Sequence, residues 1–197
     1  MEIFINEQKA DITLDNEKHL GEVLAGLEQE FAQHNATTVT IAVNGKIIAA
    51  NDFDSIIKIP VDDVQKLDLI TIAQDDITAA FKEAGECFAS VSEELKEISV
   101  QFQNGQDKAA IAAVKKLADT VDSFCHVATL SGLFHAKFGC LTIDGKTILD
   151  FFEDFAPILT EFEQALQNSD SVLMGDLAEY EISPRIDSIT EMTRNLA

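Results

Sequence analysis

Basic residues are scarce in this chain of 197 residues: 14 Lys and Arg stand against 35 Asp and Glu, a formal charge of -21. The deficit runs through both parts, with 5 basic against 14 acidic residues in positions 1–75 (-9) and 9 against 21 in positions 76–197 (-12). Affinity for phosphate backbones and anionic headgroups comes from neutralisation by Lys and Arg, so neither nucleic acid nor a membrane surface is an expected partner. Long apolar runs are also missing, and Met1 to Asn6 is not a positive n-region leading into an apolar h-region. A cytoplasmic location is the resulting expectation.

Cysteine is limited to Cys87, Cys125 and Cys140, an odd number without a Cys-x-x-Cys spacing. Free, buried thiols are expected rather than disulfides. Signatures of chemistry are missing as well. No Gly-rich phosphate cradle and no G-x-S-x-G elbow occurs, and Asp144-Gly145-Lys146 lacks the remaining oxygen ligands of a calcium loop. None of His19, His34, His126 and His135 has a Glu three residues before it, the spacing a di-iron bundle needs to aim both ligands inward. No cofactor is expected.

What the chain does have is 46% hydrophobic residues, enough for a sizeable core in one large or two small domains. Residues 2–6 and 9–14 alternate apolar and polar positions around Asn6-Glu7-Gln8, which predicts a hairpin. Asp15 or Asn16 is the expected cap of a helix whose Leu20, Val23, Leu24, Leu27 and Phe31 form one apolar stripe. Val39, Ile41 and Val43 alternate into Asn44-Gly45, a pair tolerant of positive φ, and Lys46-Ile47-Ile48 returns. An irregular stretch to Pro60 precedes a last strand carrying Leu67, Leu69 or Ile70, and Ile72.

Hairpin, helix, hairpin, loop, strand is the order of a ubiquitin-like β-grasp domain, here expected over residues 1–75. The segments Val43-Asn44-Gly45 and Lys66-Leu67-Asp68-Leu69-Ile70 resemble the small sulfur carriers of thiamin and molybdopterin synthesis, in which the final strand runs into a glycine pair. Asp75-Asp76 stands at that point and the chain continues. Carrier chemistry needs a slim tail ending in a carboxylate, so the resemblance implies the fold and a docking face, or binding to an activating enzyme without transfer. Asp75 and Asp76 instead suit the first turn of a following helix, facing the positive end of its dipole.

Residues 76–197 predict an all-α, up-and-down four-helix bundle. Ile77, Phe81, Ala84, Phe88, Val91, Leu95, Ile98 and Phe102 give a first helix of about seven turns, ended by Asn104-Gly105. Asp107 is positioned to cap a second, striped by Ile111, Val114, Leu117, Val121 and Phe124, and Ser131 to Gly145 is ambiguous. A third begins near Lys146 with a bend expected at Pro157, and a fourth follows the turn at residues 168–171, its continuity threatened by Pro184. The stretch Asp176 to Ile186 is similar to a motif of uncharacterised bacterial helical proteins.

Two groups of residues stand out as candidate sites. Cys125, His126, His135 and Cys140 form a thiolate and imidazole set of the kind zinc accepts, although neighbouring helical positions point about 100° apart; the same segment offers a small-ligand site or, with His135, a thiol nucleophile. Ordinary core packing competes with each. Phe151 and Phe152 are adjacent on a helix and cannot both face one core centre, so one is a candidate contact for a partner or a second copy. The functional expectation is a non-enzymatic interaction or adaptor protein acting on a protein partner or by self-association, with metal or ligand binding near Cys125 to Cys140 as the alternative.

Overall fold

The computed structural model describes residues 1–14, 16–104 and 106–196, with residues 99, 102, 103 and 107 described by their backbone alone. The chain is mixed α and β and divides into two compact units, Met1–Asp76 and Ile77–Ala197. The first holds strands β1 (Glu2–Ile5), β2 (Gln8–Ala10), β3 (Ala36–Val43), β4 (Lys46–Ile47) and β5 (Lys66–Ala73), with helices α1 (Leu20–Gln33) and α2 (Phe53–Ile56). These five strands form one sheet in the order β2-β1-β5-β3-β4, in which β1 and β5 are parallel and the other pairs antiparallel.

Both tight turns use residues that tolerate a left-handed backbone: Asn6 and Glu7 have φ of 49° and 67°, and Asn44 and Gly45 have 51° and 82°. The two asparagines also tie the sheet together. Asn6 Oδ1 accepts the Thr71 amide at 2.9 Å, and Asn44 Oδ1 accepts the amides of Gln65 and Lys66 at 2.8 and 3.0 Å. Strand β2 is shorter than the alternation over 9–14 suggests. The ladder with β1 ends at Ile3 and Ala10, and Ile12, which the register would set opposite Met1 beyond the end of β1, is 38% exposed.

The core of this unit is aliphatic. Leu20, Val23, Leu24 and Leu27 of α1 are buried against Ile3, Val43, Leu67 and Leu69 of the sheet, with Phe31 partly buried at the margin. Leu69 rather than Ile70 takes the inward position, and Ile70 is exposed. The strand pattern of β3 misplaces Val39. A bulge between Thr38 and Thr40 sets two residues against one step of β5, so Val39 leaves the inward row and is 37% exposed.

Helix α1 does not start at the expected cap. Asp15 lies outside the described residues, and Asn16 sits four residues before the first helical position, Leu20. His19 is the cap, and the Glu22 carboxylate reaches back to accept the amides of Lys18 and His19 at 2.5 and 3.3 Å. Those two bonds hold the Glu22 carboxyl below its usual range. Residues 57–61 are hooked to the same end of the helix: the amides of Leu20 and Gly21 donate to the carbonyls of Ile59 and Ile57.

The second unit contains most of α3 (Gln74–Lys96), then α4 (Ile98–Gln103), α5 (Asp107–Ser131), α6 (His135–Phe138), the hairpin β6–β7 (Thr142–Ile143, Lys146–Thr147), α7 (Ile148–Gln167), α8 (Ser171–Asp176) and α9 (Ser183–Arg194). The carboxylate of Asp76 accepts the Ala73 amide at 2.9 Å at the start of α3. The long first helix breaks at Glu97, whose amide donates to the Glu94 carbonyl at 3.3 Å, a tighter 3₁₀-type step before α4 starts at Ile98. Gly105 and the side chains of Phe102 and Asp107 lie outside the described residues.

The ambiguous segment resolves into a turn of 3₁₀ helix, α6 and the small hairpin, whose turn residues Asp144 and Gly145 have φ of 52° and 75°. Lys146 therefore belongs to a strand, and α7 begins two residues later, where the Thr147 hydroxyl caps it by accepting the Asp150 amide. Helix α7 runs on through Pro157. Pro184 is absorbed differently: a π-helical turn, Leu177–Ile182, joins α8 to α9 and leaves the proline in the first turn of α9, where its missing amide costs nothing.

Phe rings fill the core of this unit. Phe124 is fully buried and its ring centre lies 5.4, 5.8 and 5.5 Å from those of Phe81, Phe88 and Phe152. No described helix is long and apolar enough to cross a membrane.

Candidate functional site

Helix α1 lies over the sheet but does not fill the space beside β3. A groove of about 880 Å³ opens there, walled by Leu24 and Ala25 of α1, Ile41 of β3, and Phe53 and Ile57 from the connecting segment. That volume is in the range of ligand pockets. The hooked segment 57–61 places one wall. Gly21 allows the approach, because a Cβ there would lie 2.9 Å from both the Cβ and the carbonyl oxygen of Ile57.

The groove's polar groups are few. Glu28 extends from α1 to β3, where one carboxylate oxygen accepts the Thr38 amide at 3.3 Å and the Thr38 hydroxyl at 2.9 Å, and the other accepts the Thr37 hydroxyl. His19 and Lys58 stand at the rim. His19 Nδ1 is 4.0 Å from Glu22, whose carboxylate is engaged with the helix start, so this pair orders the backbone rather than forming an acid–base couple. The walls are suited to apolar side chains, and the carboxylates of Glu22 and Glu28 favour a cation beside them.

Sequence reasoning missed the groove. Phe53 was the available signal, a large apolar residue in the polar run Asn51 to Asp54, and it is 41% exposed. Gly21 in the first turn of a helix was another.

The thiols are placed differently from expectation: Cys87 and Cys140 are exposed and Cys125 is half-buried. Cys87 falls off the inward row of Ala84, Phe88 and Val91, and Cys140 sits in the turn after α6. Burial, reinforced by the Asp122 carboxylate, pushes the Cys125 thiol up, opposite to what a nucleophile needs. His126 and His135 are exposed, and a Cβ at Gly139 would lie 2.5 Å from the His135 ring, which therefore rests on the backbone of its own turn. Among the described residues no group of three or more His, Cys, Asp and Glu side chains is arranged to hold a metal.

Phe151 and Phe152 both enter the aromatic cluster. Phe151 is buried with its ring centre 6.0 Å from Phe155, and half-buried Phe152 lies 5.5 Å from Phe124. Their adjacency is accommodated inside the helical unit by neighbouring rings on either side.

Comparison with known proteins follows the same division. Residues 1–73 match the family described as the TP0873 N-terminal domain, which contains the groove, and residues 79–192 match the domain of unknown function DUF8042. A protein of Treponema pallidum (strain Nichols), named "Uncharacterized protein", is 29% identical over 191 residues, covering 97% of this chain and 95% of that one. No solved structure matches the chain. With more than half of its length matched, the chain belongs to the family defined by the DUF8042 domain.

Proposed function

We propose that the protein is a non-enzymatic adaptor, a ubiquitin-like β-grasp domain followed by an up-and-down four-helix bundle, that docks a protein partner in the α1–β3 groove. The strand order β2-β1-β5-β3-β4 with a parallel central pair and one crossing helix supports the first part of the architecture. The long helices α3, α5 and α7 and the run from α8 through α9 support the second. Kinship of the sheet domain with sulfur carriers rests on Val43-Asn44-Gly45 and the last strand, and Asp75-Asp76 in helix α3 replace the reactive tail.

The observation that carries the docking reading is the groove itself. Its apolar walls are unfilled by the domain's own core, and of its lining carboxylates Glu22 accepts backbone amides while Glu28 is engaged by threonines rather than by a base. The charge of -9 over residues 1–75 favours a partner that brings basic residues to the rim. Panning a random peptide display library on the full chain tests this. Apolar sequences next to Lys or Arg should be enriched, and Ala25→Arg, which fills the groove from an exposed position, should abolish their binding. Enrichment that ignores Ala25→Arg, or none at all, refutes the reading.

A further inference from the structure

Strand β4 covers β3 only at Ala42 and Val43, and the last backbone bond on that side runs from the Ile48 amide to the Ile41 carbonyl. From Ala36 to Thr40, no described strand lies against that edge. An uncovered edge is a template for another strand, and proteins blunt such edges with charged side chains. Glu28 does that here. Its carboxylate answers the Thr38 amide at 3.3 Å, in the position an added strand's carbonyl would take.

We propose that the groove receives an extended apolar segment of a protein partner, flanked by basic residues, which adds as a strand to the open edge of β3 while Glu28 swings out to pair with one of its cations. The proposal rests on the docking reading above and names the partner's conformation. The edge from Ala36 to Thr40 accepts a segment of about five residues at 3.3 Å each. Alternate side chains of such a strand point one way, toward Leu24, Ile41, Phe53 and Ile57, and its backbone satisfies the Thr38 amide that Glu28 releases. A helical segment would fill the walls, but its carbonyls are engaged within the helix and it would leave Glu28 on the Thr38 amide and the edge unpaired.

The test is an amide-resolved NMR titration of the full chain with acetyl-Lys-Val-Ile-Val-Ile-Lys-amide, the same peptide N-methylated at alternate amides, and a version with Glu at both ends. The Lys-flanked peptide should bind with Kd of about 1 mM or tighter and shift the Thr38 amide, and the other two should bind at least about tenfold more weakly. Glu28→Gln should reduce the preference for Lys over Glu. Equal affinity for the N-methylated peptide, with the groove residues still shifting, overturns strand addition and leaves the docking groove standing. No shift at any groove residue with any of the three at several millimolar counts against the docking reading itself. A Thr38 amide that shifts with protein concentration alone would put a second copy of the chain on this edge and overturn the proposal.

Discussion

The two units solve their packing with different side chains. Of the 13 Phe residues, only Phe4, Phe31 and Phe53 belong to the sheet unit, and none of them is buried; Phe81, Phe88, Phe124, Phe155 and Phe162 are all fully buried in the helical one. A sheet and one helix approach closely enough for Leu, Ile and Val to fill the gap, as the ten buried residues of that core do. In the helical unit, rings whose centres lie 5 to 6 Å apart fill the interior instead. The difference locates the unfilled volume. Aliphatic packing under α1 stops short of the β3 edge, and the groove is what remains.

The sharpest way to break this comparison is to truncate each core at its centre. Phe124→Ala should lower stability by about 3–5 kcal/mol and Leu69→Ala by about 2–5 kcal/mol, because each leaves a cavity among fixed neighbours. Residue-resolved hydrogen exchange in urea should show the loss confined to helical amides for the first and to sheet amides for the second. Equal losses in both units for either variant would mean that the two cores are one cooperative structure.

Two glycines sharpen it at smaller cost. A Cβ on Gly85 of α3 would lie 1.9 Å from the Thr193 hydroxyl of α9, so Gly85→Ala should destabilise by about 1–3 kcal/mol through overpacking. Gly26 of α1 has nothing within 4 Å of that position, and Gly26→Ala should stabilise by about 0.5–1 kcal/mol from helix propensity alone. Thermal denaturation of the two variants would reveal opposite shifts. The same sign for both would show that backbone preference, not the close helix contact, governs Gly85.

The smallest expected effect is on pH. The Glu22 carboxyl is held down by the amides of Lys18 and His19, so its folded value lies below the unfolded one near 4.5. Its contribution to the start of α1 is therefore present above pH 4.5 and is lost as the pH falls through the lower folded value. Carboxyl carbon titration by NMR should give Glu22 a midpoint below 4.5, and Glu22→Gln should flatten the acid limb of α1 amide protection. A midpoint at or above the ordinary value would mean that Glu22 does not hold the Lys18 and His19 amides at the start of α1.

Much of the scaffold could be read from local pattern. The apolar stripe of α1 and the Asn44-Gly45 hairpin are dictated by helical periodicity and by the few residues that accept positive φ, both properties of neighbours in the chain. Bulge and breaks were not legible in the same way. Val39 keeps perfect alternation in the sequence and still leaves the inward row, because the extra residue is defined only by its pairing with β5. Glu97 interrupts a stripe that reads as continuous.

Candidate sites divide along the same line. Cys125, His126, His135 and Cys140 drew attention by being close in sequence, yet exposure scatters them around two helices and a turn. Glu28, Thr37, Thr38, Phe53 and Ile57 are ordinary residues on their own, and they become a groove only when α1, β3 and the connecting segment meet.

Composition and periodicity alone determined the acidic charge, the order of strands and the crossing helix in the first unit, and most inward-facing rows, since these depend on residue type and short-range spacing. Tertiary structure alone decided which edge of the sheet stays open, that a carboxylate would guard it, and where the core fails to fill space. Those features arise from the meeting of segments distant in the chain, which no local pattern encodes.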